Sequence, residues 1–265
     1  MNKTKIEWCD YTWSPITGCF GVNGKVCPYC YARGIVNRFK GGDITEQRTE
    51  RIKRLEDGNV IYELSMSKNP YPYGFNPTFH RYRLDEPAKM KKPQNIFVCS
   101  MADMFGDYIP DEWIKAVFDA CAAAPWHRFL FLTKNPGRYL KLAENSRLPY
   151  GENFWYGTTT MTEDTEYFLS KPSRFSDYYN AFVSIEPILG FFSEANALRR
   201  MPPAWTIVGA MTGAGAKKHK PEREWIDEIV HTCRHDRKPI FMKNSLKEIW
   251  GEPLIQEYPW EIKNE

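Results

Sequence analysis

Three cysteines of the 265-residue chain fall within twelve residues, as Cys19, Cys27 and Cys30 in a segment that also carries Gly18, Gly21 and Gly24. Thiolates so close together can converge on one metal centre. Structural zinc takes four ligands, usually as two close pairs. Here a single Cys-x2-Cys pair has a third cysteine eight residues upstream. A fourth donor would have to come from Cys9, Cys99 or one of the five histidines, none at a finger-like spacing. Three thiolates suit a 4Fe–4S cluster instead, with one iron left open for a substrate or cofactor. Tyr29, just before the last cysteine, would screen such a cluster from water and touch the neighbouring cofactor. The spacing therefore favours a cluster, with zinc and unliganded thiols as the alternatives.

The remaining cysteines, at 9, 99, 121 and 233, stand singly and read as small apolar core residues. An odd total of seven argues against a disulfide framework. The opening residues lack the apolar stretch of a secretion signal, and no run of about 18 uncharged apolar residues exists. A cytoplasmic protein is expected. Apolar residues make up 42% and charged residues 26%, which excludes wholesale disorder. With 36 basic against 33 acidic side chains, any polyanion site must be a local patch.

The elements that must position the cysteines begin to repeat near residue 95. Short β-rich apolar runs occur at 96–98, 129–132, 154–156, 182–185, 207–208 and 240–242, with starts 25 to 33 residues apart. Candidate helices lie between them at 111–123, 137–145, 163–170, 194–200 and 222–235. Asp111, Thr162 and Ser193 stand where N-caps belong, and Pro136 and Pro221 fit a first helical turn. This alternation predicts βαβ units and an α/β fold, a full or partial (β/α) TIM-type barrel with parallel strands and an N-terminal cluster-binding loop. A single domain is expected over 1–265. Polar groups follow each run: Ser100 and Asp103, Thr133-Lys134, Thr158 to Thr160, Glu186, Gly213 to Gly215, and Lys243-Asn244. In barrels that rim is where active sites are built. For any one residue, loop polarity or helix capping explains as much.

A basic and aromatic insert at about 40–95 interrupts the repeat. Between Tyr31 and Arg54 seven basic residues face three acidic ones, and Tyr71-Pro72-Tyr73-Gly74-Phe75-Asn76-Pro77 is followed by Phe79, His80, Arg81, Tyr82 and Arg83. Such interleaving could hold a phosphate backbone and stack bases. It could equally be a solvated helix face followed by a packed cover over one barrel end.

The cysteine segment, with an aromatic before its last cysteine, resembles the radical S-adenosylmethionine (SAM) superfamily, although the spacing usual there is three residues between the first two cysteines and here it is seven. That departure is similar to a narrower group, the phage gp thirty-seven/sixty-eight family. The likeness rests on Ile6-Glu7-Trp8, Thr12-Trp13-Ser14-Pro15, Thr17-Gly18-Cys19 and Cys27-Pro28-Tyr29-Cys30-Tyr31-Ala32. It continues through Phe97 to Phe105, Leu132-Thr133-Lys134, Ser184 to Gly190 and Phe241-Met242-Lys243. The resemblance implies a 4Fe–4S cluster on Cys19, Cys27 and Cys30 whose open iron binds SAM. One-electron reduction, by a flavodoxin- or ferredoxin-type donor, then splits SAM into methionine and a hydrogen-abstracting 5′-deoxyadenosyl radical. It further implies that Ser100 and Asp103 hold the methionine amine. Tyr29, Thr158 and Glu186 are the other cofactor candidates, and Lys134, Glu186 and Lys243 are the ionisable catalytic candidates. Family members often carry Gly-x-Glu-x-Gly where this chain has Gly209-Ala210-Met211-Thr212-Gly213, so a carboxylate contact is missing or comes from Glu186.

The cysteine-to-aromatic run also resembles that of the spore photoproduct lyase group, which acts on DNA bases. Together with the insert, this points to a nucleobase or nucleic-acid substrate. A non-catalytic alternative is a nucleic-acid-binding or phage accessory protein whose metal, zinc or cluster, only staples the loop. A nucleic-acid complex made through the insert should weaken steeply with salt in a binding titration. Affinity unchanged between low and moderate salt contradicts it.

Overall fold

The computed structural model describes residues 1–261 apart from 23, 26, 28–29, 40–45, 162–174, 193–202 and 214. The expected helices at 163–170 and 194–200, and the caps Thr162 and Ser193, lie outside the described residues, as does Tyr29. The chain forms two compact units, one of Met1–Lys5 with Cys9–Pro149, the other of Ile6–Trp8 with Tyr150–Glu265. Both are mixed α/β with mostly parallel strands in their main sheets.

In the first unit, β1 (Asn2–Lys3), β2 (Tyr11–Trp13), β7 (Asn95–Val98) and β8 (Arg128–Thr133) lie side by side. β2 to β7 and β7 to β8 are parallel pairs, and β1 is antiparallel to β2. The near-continuous apolar runs of β7 and β8 are what a strand covered on both faces requires. A second sheet holds β3 (Ile16–Thr17), β4 (Arg48–Arg54), β5 (Val60–Met66) and β6 (Thr78–His80) in the order β3-β6-β5-β4. The helix Asp111–Ala122 buries Trp113, Ile114, Val117, Phe118 and Cys121, the stripe its sequence spacing predicts. Its N-cap is Pro110, not Asp111. Asp111 lies in the first turn, where a carboxylate favours the helix dipole, and pairs with Arg138 at 2.5 Å and Arg147 at 2.8 Å.

The basic stretch of the insert departs from the helical alternative. Among the described residues of that stretch only Tyr31–Asn37 forms a helix, α1, whereas Arg48–Arg54 is a strand exposed along its whole length. β4 has no apolar alternation of its own and takes its register from β5, which buries Ile61 and Leu64. The connecting turn is set by Gly58 at φ +85° and by Asp57, whose carboxylate accepts the Asn59 N–H at 3.0 Å.

In the second unit β9 (Phe154–Thr160), β10 (Asn180–Ile185), β11 (Trp205–Val208) and β12 (Ile240–Met242) form consecutive parallel pairs. The helix Arg223–His235 agrees with the sequence expectation to within one residue. Trp8 packs on Phe182 and Trp205, and Trp205 also meets Tyr258 and Trp260. Among the described residues no helix is long and apolar enough to cross a membrane.

Gly157 of β9 stands opposite Phe182 of β10, and a Cβ there would lie 2.3 Å from the Phe182 ring. Gly157→Ala should therefore cost about 1–3 kcal/mol of stability through overpacking. Urea denaturation of the variant beside wild type measures it; equal midpoints contradict the contact.

Candidate metal centre and polar rim

The loop bearing the cysteines leaves β3 under tight backbone control. Gly18 donates its N–H to the Met101 carbonyl at 2.9 Å and adopts φ +82°. A Cβ at Gly18 would lie 2.3 Å from the Asn76 carbonyl oxygen, so only glycine lets the two backbones meet. Cys19 donates its N–H to the Phe75 carbonyl at 3.0 Å, and the Cys30 N–H reaches the Cys27 carbonyl at 3.1 Å. Cys30 is the N-cap residue of α1, whose Ala32 and Val36 pack on Met101, with Tyr71 and Phe75 alongside.

The insert is therefore the floor under this loop. Phe79 and His80 are fully buried. His80 Nε2 lies 2.8 Å from the Thr17 hydroxyl, and Arg83 donates inward to the Ser14 carbonyl at 2.9 Å. Burial and the nearby Arg83 guanidinium hold the His80 imidazole well below the usual histidine range, so it is neutral. Of the two sequence readings, packed cover describes residues 77–80, which are buried, while Asn76 and Arg81 are exposed.

The seven cysteines, none in a disulfide, divide by burial. Cys19, Cys27 and Cys30 are partly exposed, while Cys9, Cys99, Cys121 and Cys233 are buried. Burial pushes Cys99 up to about 12 and Cys233 up to about 11, and it also raises Cys121. Cys19 is raised too, first by burial and then by the Asp103 carboxylate. Donors from the Tyr108 hydroxyl and the Gly21 N–H, each 3.1 Å from Sγ, pull it back. Among the described residues no group of three or more His, Cys, Asp or Glu side chains stands together as a preformed metal site. The donor chemistry nevertheless suits an iron–sulfur cluster: three accessible thiols on one loop, one of them already accepting two hydrogen bonds at sulfur.

Asp103 is occupied within the protein. Its Oδ1 accepts the Thr133 hydroxyl at 2.7 Å and the Phe105 N–H at 3.1 Å, and its Oδ2 accepts the Lys134 N–H at 3.0 Å. The carboxylate thus pins the loop after β7 to the end of β8. Lys134 lies there, its backbone held by Asp103. The carbonyl of Ser100 accepts the Tyr31 hydroxyl at 2.5 Å, which ties the start of α1 to the same loop. Sequence reasoning missed Tyr108, which lies three residues beyond the matching run ending at Phe105. Its one available signal was Gly106, where a Cβ would lie 2.5 Å from the Tyr108 ring.

In the second unit Glu186 follows β10 and Lys243 follows β12. Lys243 Nζ donates to Glu186 Oε2 at 2.5 Å, and the Ser184 hydroxyl donates to Oε1 at 3.3 Å. Gly209, after β11, lies between them in sequence order and makes room for the pair. A Cβ there would stand 3.1 Å from the Lys243 chain and 3.4 Å from Glu186. Thr158 departs from the expectation of a rim residue after a strand ending at 156. β9 continues to Thr160, and Thr158 is buried within it, paired with Val183.

The chain is thus of the mixed α/β class, with mostly parallel strands, partly exposed thiols on an N-terminal loop and charged groups after its strands. Within that class, the family model described as "Protein of unknown function (DUF5131)" matches residues 3–255, and the chain belongs to that family. No curated protein matches it. Three solved structures of spore photoproduct lyase are similar to the chain. A double mutant with bound AdoMet and dinucleoside spore photoproduct has 11% identity and TM-score 0.45, over 91% of this chain and 57% of that one. A single mutant has 12% identity and TM-score 0.44 over the same shares. A complex with dinucleoside spore photoproduct has 12% identity and TM-score 0.49, over 94% of this chain and 77% of that one. The chain thus spans 57% of the length of the two mutant proteins.

In metal-free protein at mildly alkaline pH, a thiol alkylating reagent should modify Cys27 and Cys30, Cys19 more slowly, and the four buried cysteines only after unfolding. Peptide mass spectrometry reads this, and early labelling of Cys99 or Cys121 contradicts the division. The raised thiols also fix a pH dependence. Their folded values lie above the ordinary 9.0, so their contribution to stability is intact below about pH 9 and is lost as pH climbs through 11 and 12.

Proposed function

We propose that the protein is a radical SAM-type enzyme of the cytoplasm, built over the whole chain as one functional barrel, with Cys19, Cys27 and Cys30 as the protein ligands of a 4Fe–4S cluster. The observation that carries this is the division of the thiols: the three at ligand-like spacing are the three left accessible. When bound, the cluster and SAM supply one-electron reductive cleavage, fed by a flavodoxin- or ferredoxin-type donor. Metal binding commonly completes a site the apo chain only partly forms, and here it would draw the three thiolates together.

The chain's own residues then have distinct tasks. Gly18 and the floor at Phe75–Asn76 fix where Cys19 stands. Tyr29 would cover the cluster face toward the cofactor. Asp103 holds the loop after β7 in place, with Ser100 on that loop toward the methionine end of SAM and Lys134 beside it. Glu186 and Lys243 form a ready-made donor and acceptor pair for SAM or substrate polar groups, and Thr158 supports the strand beneath. A nucleobase or nucleic-acid substrate is supported by the exposed basic strand β4, with Arg48, Arg51, Lys53 and Arg54 in seven residues. A second reading, a metal-stapled binding protein, draws on the internal engagement of Asp103 and Glu186 and on Met211 in place of a carboxylate.

Anaerobic reconstitution should give a brown protein with about four irons and four sulfides per chain. Dithionite and SAM should then release 5′-deoxyadenosine, and Cys→Ala at 19, 27 or 30 should abolish that release and most of the iron. A colourless, zinc-loaded protein overturns the enzymatic reading in favour of the staple; a cluster without SAM cleavage overturns catalysis alone.

A further inference from the structure

We propose that the face of the β4–β5 hairpin that carries Ile52 is a docking surface for single-stranded nucleic acid. Arg48 and Arg54 take phosphates there, and Ile52, Met66 and the Tyr62–Tyr73 pair lie against the bases. The inference rests on the nucleic-acid reading given above and deepens it, but it needs no metal at the cysteines. Directly opposed residues share a face of a sheet, so the register sorts the hairpin's charges. Arg51 stands opposite Glu63, and Lys53 opposite Ile61. Glu63 is buried and paired with Arg81, which also meets Glu50 at 3.5 Å. Arg51 lies 3.8 Å from Glu63 and 3.7 Å from Glu112. The carboxylates of both strands, Glu50 and Glu63, are thus answered by arginines.

The other face carries Arg54 opposite Val60, Ile52 opposite Tyr62, Thr49 opposite Leu64 and Arg48 opposite Met66. Neither Arg48 nor Arg54 has an ion-pair partner among the described residues, and Arg54 donates to the Gly58 carbonyl at 3.3 Å. Ile52 is 63% and Met66 45% exposed. Tyr73 lies flat on Tyr62 with ring centroids 3.5 Å apart, and its hydroxyl is 2.5 Å from that of Thr49, which fixes the pair in place. An edge strand that only had to avoid pairing would carry charge without exposed apolar side chains. Unpaired cations about 20 Å apart along the strand, with apolar and ring surface between them, match a run of phosphates whose unstacked bases need cover. A duplex keeps its bases stacked inside and would use the arginines alone. A second copy of this face would oppose its own arginines.

The test is fluorescence anisotropy of the full-length protein with fluorescein-labelled oligothymidylate, oligouridylate and a DNA duplex. A single-stranded probe should bind in the micromolar range or tighter at low salt, and more tightly than the duplex. Arg48→Ala with Arg54→Ala should lower the slope of log affinity against log salt by about 1.4, two phosphates at ~0.7 each. Lysine at both positions should restore it. Ile52→Ser, at an exposed site, should weaken binding roughly threefold or more without changing the slope. Lys217→Ala with Lys218→Ala, in an exposed basic loop of the second unit, should change neither. Duplex binding as tight as single-strand binding, or an unmoved slope in the arginine variant, overturns the proposal and leaves nucleic-acid binding elsewhere standing. If the arginine variant does not fold, Ile52→Ser decides alone, and unaltered affinity removes the face. No binding of any probe overturns the nucleic-acid reading as well, while the cluster reading is judged separately by iron content.

Discussion

The contact on which the rest depends is backbone against backbone, where Gly18 passes the carbonyl groups of Phe75 and Asn76. At that separation no side chain fits, and the positive φ of Gly18 turns the chain so that Cys19 hydrogen-bonds to Phe75. Everything chemical in the first unit follows from where that leaves the sulfur. The Cys19 backbone bonds to Phe75, and its sulfur meets the Tyr108 hydroxyl beyond the loop that Asp103 ties down. An insert that reads as an interruption of the β/α repeat thus meets the cysteine loop at Gly18 and Cys19, and buries Phe79 and His80 beside Thr17.

The same residue type performs two jobs according to its surroundings. Cys99, Cys121 and Cys233 lie in apolar cores where the thiolate is strongly disfavoured, so they stay protonated and inert. Burial raises Cys19 as well, but donors from Tyr108 and Gly21 at its sulfur offset part of that effect. In the second unit Gly209 makes the parallel statement for a charge pair. The absent side chain lets Lys243 reach Glu186 across the ends of three strands.

Much of the framework was legible because strands buried on both faces leave apolar runs that composition cannot disguise. The strands around Ile96, Phe129, Phe182 and Ile240, and the helices beginning near Asp111 and Arg223, fall where the runs and their spacing predict. β4 was illegible because Arg48–Arg54 carries no burial signal; its conformation comes from its partner β5. Thr158 was misplaced because a polar Thr-Thr-Thr run looks like a loop, yet parallel pairing with Val183 extends the strand through it. Spacing singled out Cys19, Cys27 and Cys30, and the structure leaves these three partly exposed while gathering no metal site among the described residues. The hydrogen-bond donor to Cys19 was not legible, because Tyr108 is 89 residues from Cys19 in sequence and only folding brings them together.

The central claim is that three thiolates leave one metal position free for SAM. Electron paramagnetic resonance of the reduced, reconstituted protein before and after SAM addition tests it most directly. The account predicts a 4Fe–4S signal that changes on adding SAM, as an iron acquires a new ligand. A signal identical with and without saturating SAM, or a centre with a fourth protein ligand, contradicts it.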